Sequence, residues 1–328
     1  MKKNTNFGNY LKKIKKRRSF ICGLKSFKMS NNERRFLLKY KPWGIILFSR
    51  NIKNINQTKL LTDSIKKLFK DTNYPILIDE EGGRVSRIRK IFDTTLFSAK
   101  FFGDLYSRNQ SEFKVYLYSY VNQISYLLKL MGININTVPV LDVLIKNTNS
   151  IIGNRSYSRD PKIVSIIGDK VIELFHKNKI ITIMKHIPGH GLAKVDSHYR
   201  LPIIHKKVSY LTKNDFLAFI KKKSLLSMTA HIKYSHIDKH NCATNSQKVI
   251  KLIRKKIGFK GLIITDDISM KALKGDISLK TIKSFTAGCN LVLHCNSNMS
   301  EMMKVANNSP FLNDFIIKKT SQIIKKLS

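Results

Sequence analysis

Three short stretches of this 328-residue chain hold side chains able to do chemistry. Asp79-Glu80-Glu81-Gly82-Gly83-Arg84 follows Ile76-Leu77-Ile78. Lys185-His186-Ile187-Pro188-Gly189-His190-Gly191 follows a second apolar run, with Asp196-Ser197-His198 soon after it. Asp266-Asp267 follows Leu262-Ile263-Ile264-Thr265. A carboxylate at a strand end can attack an electrophilic carbon and form a covalent intermediate. An Asp two residues before a His can accept the ring N–H and fix the tautomer, so that the other nitrogen exchanges a proton near neutral pH. Each pattern also has a plainer account. An Asp-Asp pair can cap a turn or tie Lys271, a loop histidine is often only exposed, and neighbouring residues of a strand point to opposite sides, so one of the two aspartates at most faces a site.

Other chemistries fit less well. His186, His190 and His198 are close in sequence and could hold zinc, but histidines four apart usually align on a helix. Pro188-Gly189 forbids one there. No metal and no cofactor is expected. Gly82-Gly83-Arg84 has neither phosphate-loop nor dinucleotide-loop spacing; the glycines are expected to let the backbone turn tightly beneath a ligand. Arg84, Arg87 and Arg155 are candidates to clamp that ligand through their fixed forks of donors.

These groups need elements to place them. Apolar, β-branched runs occupy residues 20–24, 44–48, 75–79, 133–138, 181–186, 225–231, 261–266 and 290–294. Amphipathic stretches of helical length lie between most of them. Residues 56–70 put Leu60, Leu61, Ile65 and Leu68 on one side. Asp160-Pro161 is an N-cap and first-turn pair opening residues 161–178, and Ser246 opens a helix that Gly258 closes. Regular β–α alternation implies a parallel sheet, and eight units in one chain predict an α/β fold, a single-domain (βα)8 TIM-type barrel. Five runs end in ionisable groups: Asp79 to Glu81, Asp142, Lys185-His186, His231 and Asp266-Asp267. Catalytic groups of such barrels gather at that rim.

Composition sets the limits. With 42% hydrophobic residues the chain can build a core. Lys and Arg number 61 against 21 Asp and Glu, a formal charge of +40. That field favours anionic partners, although lysine spread over every exposed face explains it equally well. Residues 1–18 are the densest part, read as a basic N-terminal arm and solvated terminal helix ahead of a catalytic domain spanning 19–328. Cys22, Cys242, Cys289 and Cys295 form no C-x-x-C pair and suit a reducing compartment. No secretory pattern and no membrane-length apolar run is visible. A cytoplasmic monomer with no membrane association and no obligatory nucleic acid is expected.

The same segments, with Pro42-Trp43-Gly44, Phe48-Ser49-Arg50-Asn51, Ile152-Gly153-Asn154-Arg155-Ser156-Tyr157 and Met228-Thr229-Ala230-His231, resemble glycoside hydrolase family 3. They are most similar to its short single-domain bacterial β-N-acetylglucosaminidases of peptidoglycan recycling. The resemblance covers residues 22–296 and keeps the motif order. It implies Asp266 as nucleophile and His198 as acid/base, oriented by Asp196. It implies that Asp79, Arg87, Arg155, Lys185 and His186 hold the sugar. The implied reaction is retaining hydrolysis of a β-N-acetylglucosaminide, a muropeptide in particular. A phosphorylase or β-glucosidase of the same fold is the alternative, and a non-enzymatic anion-binding barrel a more distant one. The chain departs from the family pattern at Glu80, where glutamine is usual, at Ile187, where phenylalanine is, and at Asn290, where aspartate is common. Glu80 is expected to add negative charge beside Asp79.

Overall fold

The structure, a computed structural model, describes residue 11, residues 14–145 and residues 151–327. Most of the basic arm, residues 1–10, 12 and 13, lies outside the described residues.

Ten strands are present among them: β1 (Arg18–Gly23), β2 (Pro42–Leu47), β3 (Ile76–Ile78), β4 (Ile135–Asn136), β5 (Ile181–Ile187), β6 (Ile203–Ile204), β7 (Leu226–Thr229), β8 (Lys233–Tyr234), β9 (Leu262–Asp267) and β10 (Leu291–His294). Eight of them close a parallel barrel in the order β1-β2-β3-β4-β5-β7-β9-β10, with β10 pairing back onto β1. The (βα)8 expectation holds, and each apolar run falls on a barrel strand with no end displaced by more than two residues. β4 is the shortest because Pro139, three residues past its last residue, has no amide for the ladder. Beyond that proline the chain pairs again with β5 through Val140 and Lys185. β6 and β8, not foreseen from sequence, form a separate two-stranded ladder that ties the loop after β5 to the loop after β7.

Alternation along the strands builds two shells. Ile21, Ile46, Leu77, Ile135, Ile181, Ile183, Leu226, Met228, Leu262, Ile264, Leu291 and Leu293 fill the barrel, while Ile45, Leu47, Ile76, Ile78, Met184, Ile263 and Val292 pack outward beneath the helices. The inner cluster continues into Ile14, Trp43, Leu312, Ile316, Ile317 and Ile323, so the C-terminal helix Asp314–Leu327 stoppers the N-terminal end of the barrel. Trp43 Nε1 donates to Thr320 Oγ1 at 2.9 Å across that junction. Among the described residues that end of the barrel is shut, and its C-terminal rim is the open one.

The end of the basic segment belongs to this base rather than to solvent. Ile14 is fully buried, and Arg18 is the first residue of β1. Arg17 is buried against Asp71 and lies over the Tyr74 ring at 4.6 Å. A buried carboxylate and an aromatic face explain why a cation can leave water there.

Helix ends follow local sequence. Ser30 and Glu33 form a capping box on Asn31–Tyr40, Asn54 caps Ile55–Phe69, and Asp160 with Pro161 opens Pro161–Lys177. Ser246 caps Gln247–Leu252, which widens into a π turn over Ile253–Ile257 before Gly258. No helix among the described residues is long and apolar enough to cross a membrane.

Candidate active site

Strand phase decides which side chains reach the barrel axis. Asp79 continues the inward set of Leu77, Lys185 that of Ile181 and Ile183, and Asp266 that of Leu262 and Ile264. All three line one cavity of about 220 Å³ at the open rim, together with Arg87, Arg155, His186 and His198. Phe48, Met228, Leu293 and Cys295 supply its apolar wall. Asp267, out of phase, instead ties the rim: its Oδ1 accepts the amides of Ser269 (3.0 Å) and Cys295 (3.2 Å), and its Oδ2 the Ser269 hydroxyl (2.7 Å). The ambiguity of the adjacent pair is thus resolved by geometry, with Asp266 toward the axis and Asp267 as the turn cap.

One wall is a lattice of alternating charges. Lys185, almost wholly buried, sets its ammonium between the carboxylates of Asp79 and Glu81. Arg155 pairs side-on with Glu81 through Nε (2.7 Å) and Nη2 (2.8 Å). Arg87 Nη2 donates to Asp79 Oδ2 at 2.8 Å, and Thr137 donates its hydroxyl to the other oxygen. Burial by itself would raise the Asp79 carboxyl, but Lys185 and Arg87 outweigh it and hold the group well below its ordinary range. Glu81 follows the same logic, with Arg155 and Lys185 lowering what burial raises. The Lys185 ammonium is held charged, and raised, because the two carboxylates overcome its burial. These groups present fixed, ionised donors and acceptors to a polar ligand.

The opposite wall is built around Asp142. This fully buried carboxylate accepts His186 Nδ1 at 2.6 Å and the amides of His186 (3.2 Å) and His190 (2.7 Å). With Nδ1–H committed, His186 turns Nε2 toward Asp266, 4.0 Å from Oδ2. His231 stands beside it, bonded to Thr244 Oγ1 (2.7 Å) and to the Asp267 carbonyl (3.0 Å). Asp266 Oδ1 accepts the Asp267 amide at 2.8 Å. Burial opposes ionisation of Asp266, yet His186 and His231 prevail, with help from that amide and Lys185, and its pKa falls below the ordinary 3.8. A carboxylate kept anionic on the barrel axis is a competent nucleophile.

His198 lies over the cavity from the loop between β5 and β6, more than half exposed. Asp196 Oδ1 accepts both the His198 amide and its Nδ1–H at 2.8 Å, which leaves Nε2 for proton exchange. Asp196 is set behind the histidine and does not line the cavity itself.

Of the eight residues expected at the site, seven line this cavity and Asp196 touches it through His198. Other expectations are corrected. Glu80 does not face Asp79: it turns outward, 1% exposed, and accepts from Ser86 Oγ, the amides of Arg87 and Ile88, and Thr94 Oγ1. It anchors the loop that delivers Arg87. Gly82 and Gly83, both at positive φ, make room for Phe97, Tyr120 and Ser98 and not for a ligand. Arg84 holds the carbonyls of Ile151 and Ile152. Among the described residues, no group of three His, Cys, Asp or Glu side chains is arranged to hold a metal ion. Glu81, Asp142, His231 and Thr137 were not assigned to the site from sequence. Their signal was present, since three of them end apolar runs and Thr137 shares the inward phase of Ile135.

Fold and cavity together define a barrel enzyme whose chemistry sits at the C-terminal rim. Residues 11–325 match the glycosyl hydrolase family 3 N terminal domain. A beta-hexosaminidase of Neisseria meningitidis serogroup B is 32% identical over 282 residues, covering 84% of this chain and 77% of that protein. A beta-hexosaminidase of Nitrosomonas eutropha is 32% identical over 262 residues, covering 77% and 73%. Among solved structures, NagZ from Neisseria gonorrhoeae in complex with N-trifluoroacetyl-D-glucosamine superimposes with a TM-score of 0.85 at 29% identity, covering 94% of this chain and 90% of that one. The chain belongs to glycosyl hydrolase family 3.

Proposed function

We propose that this chain is a retaining β-N-acetylhexosaminidase that removes terminal β-linked N-acetylglucosamine. The observation that carries the reading is Asp266: an ionised carboxylate on the barrel axis, flanked by His186 and His231, in the cavity at the open rim. The names of the relatives supply the sugar, which residue chemistry alone does not.

In the first step Asp266 Oδ2 attacks the anomeric carbon as the glycosidic C–O bond breaks. His198, protonated, gives its Nε2 proton to the departing oxygen, and Asp196 stabilises the charge at Nδ1. In the second step neutral His198 takes a proton from water, whose oxygen displaces Asp266 from the anomeric carbon and frees the sugar with net retention. A His–Asp pair thus does the acid/base work usually given to a second carboxylate. Asp79, Lys185, Arg87, Arg155 and His186 hold the hydroxyls and the N-acetyl group. The substrate class we infer is a muropeptide in the cytoplasm, N-acetylglucosamine linked to a carboxylate-bearing muramoyl peptide.

The test is release of chromophore from an aryl β-N-acetylglucosaminide by the purified protein, with an aryl β-glucoside as control and Asp266→Ala beside the native chain. Hydrolysis of the first substrate alone, nearly abolished in Asp266→Ala, is expected. Full activity in that variant would overturn the mechanism.

A further inference from the structure

The Asp196–His198 pair sits in the long loop between β5 and β6, outside the barrel ladder, and His198 itself is largely in solvent. Something else must keep its imidazole over the cavity. Ser197, between the two dyad residues, turns the other way and is 3% exposed. Its Oγ lies 3.1 Å from Nε2 of His190, a second side chain 3% exposed. The His190 backbone amide in turn donates to Asp142 Oδ1 at 2.7 Å, on the carboxylate that also holds His186. Tyr234 in β8 donates its hydroxyl to the Gly189 carbonyl and braces the same turn.

We propose that His190 and Ser197 are positioning residues that clamp the dyad loop to the Asp142 anchor, and so set the place of the His198 proton. The inference rests on the reading of His198 as acid/base and deepens it. Both residues stand in the cavity wall, and their hydrogen-bonding atoms are turned to each other. His190 differs from His186 in that its Nε2 is taken by Ser197 and not turned toward Asp266. Burial also pushes its pKa down to about 4, so the ring stays neutral around pH 7 and can bond a hydroxyl in either tautomer. The arrangement has a consequence for coordination of the two halves of the site. One buried carboxylate, Asp142, sets both the ring beside the nucleophile and, through His190 and Ser197, the ring that delivers the proton.

The readout is dependence on the leaving group. A general acid matters for a poor leaving group and little for one that departs unaided. kcat/KM for the phenyl and the dinitrophenyl β-N-acetylglucosaminide isolates the first step. Ser197→Ala is expected to lose about tenfold on the phenyl substrate and less than about twofold on the dinitrophenyl one. Ser197→Thr, which keeps the hydroxyl, is expected to restore the native ratio. His190→Ala should show the same pattern, and the double variant should be no worse than the poorer single variant, because one contact is lost only once. Equal losses on both substrates, or losses that multiply in the double variant, would overturn the clamp. His198→Ala serves as the reference. If it shows no leaving-group dependence, the acid/base reading itself falls; if it does and Ser197→Ala does not, only the clamp falls.

Discussion

His186 presents Nε2 to Asp266 Oδ2 at 4.0 Å while Asp142 holds its opposite nitrogen at 2.6 Å. The imidazole is therefore the leading influence, ahead of His231, that lowers the Asp266 carboxyl against its own burial. In the proposed mechanism the acid limb of kcat/KM reports loss of the Asp266 anion. Native enzyme is expected to hold its acid limb below the ordinary carboxyl value of 3.8. His186→Gln removes the imidazole that leads in lowering Asp266, so the limb should move to higher pH, in addition to any loss of sugar binding. A pH profile of kcat/KM checks this, and an unmoved limb would show that the two groups are uncoupled.

Glu81 predicts a stability effect. Its carboxylate is the shared partner of two nearly buried cations, Arg155 and Lys185. Glu81→Gln leaves both nearly buried cations with an uncharged neighbour, and is expected to cost about 3–5 kcal/mol. The sign of the pH dependence follows from its depressed pKa. The contribution of Glu81 is fully present above the ordinary carboxyl value of 4.5 and is lost as pH falls through the lower folded value. Denaturant unfolding of the native and Glu81→Gln chains at neutral pH and near pH 4 should show the gap between them narrowing in acid.

Asp215 behaves in the opposite sense. It is fully buried beneath Gly189 and Gly191, and burial with the nearby Asp142 charge pushes its carboxyl up to about 7. Between the ordinary 3.8 and about 7 the folded chain binds a proton that the unfolded chain has released. Stability should therefore fall as pH rises through that window because of this residue. Asp215→Asn removes the titration and keeps the size of the side chain. The variant is expected to be more stable than the native chain at pH 8 and to close on it at pH 5, as read by thermal unfolding. A constant difference across that range would rule out titration of Asp215.

The barrel was legible because its strands are short apolar runs with a rigid period, and the C-terminal rim could be read from where ionisable residues end those runs. Phase was not legible. Asp266 shares the period of Leu262 and Ile264, and Asp79 that of Leu77, but both phases of these runs are apolar. The inward one shows only in the closed barrel, and the resemblance had to favour Asp266 over Asp267. Glu80 and Glu81 were harder. Both follow β3 after alternation has ended, and which one turns inward depends on partners distant in sequence, Thr94 for one and Arg155 for the other. Asp142 and His231 were seen as rim residues, but their bonds to His186 and to the Asp267 carbonyl exist only once four strands are assembled. The β6–β8 ladder pairs two residues with two, too little pattern for a sequence to announce.

The formal charge of +40 gives the last prediction. A charge of that size cannot say what the site cleaves, but it can raise the rate at which an anion arrives. The carboxylates at the cavity are all engaged by cations or amides, so they present little net repulsion: Asp79 lies between Lys185 and Arg87, and Glu81 against Arg155. A carboxylate-bearing muropeptide should therefore be drawn in by the surrounding lysines. Raising ionic strength from about 0.01 M to about 0.15 M shortens the screening length from roughly 30 Å to roughly 8 Å. Over that range kcat/KM for the muropeptide is expected to fall on the order of tenfold, as for steered encounters. A neutral chromogenic N-acetylglucosaminide, which feels no such field, should be unaffected. Parallel salt responses for the two substrates would remove the charge from any role in catalysis and leave it as a property of the surface alone.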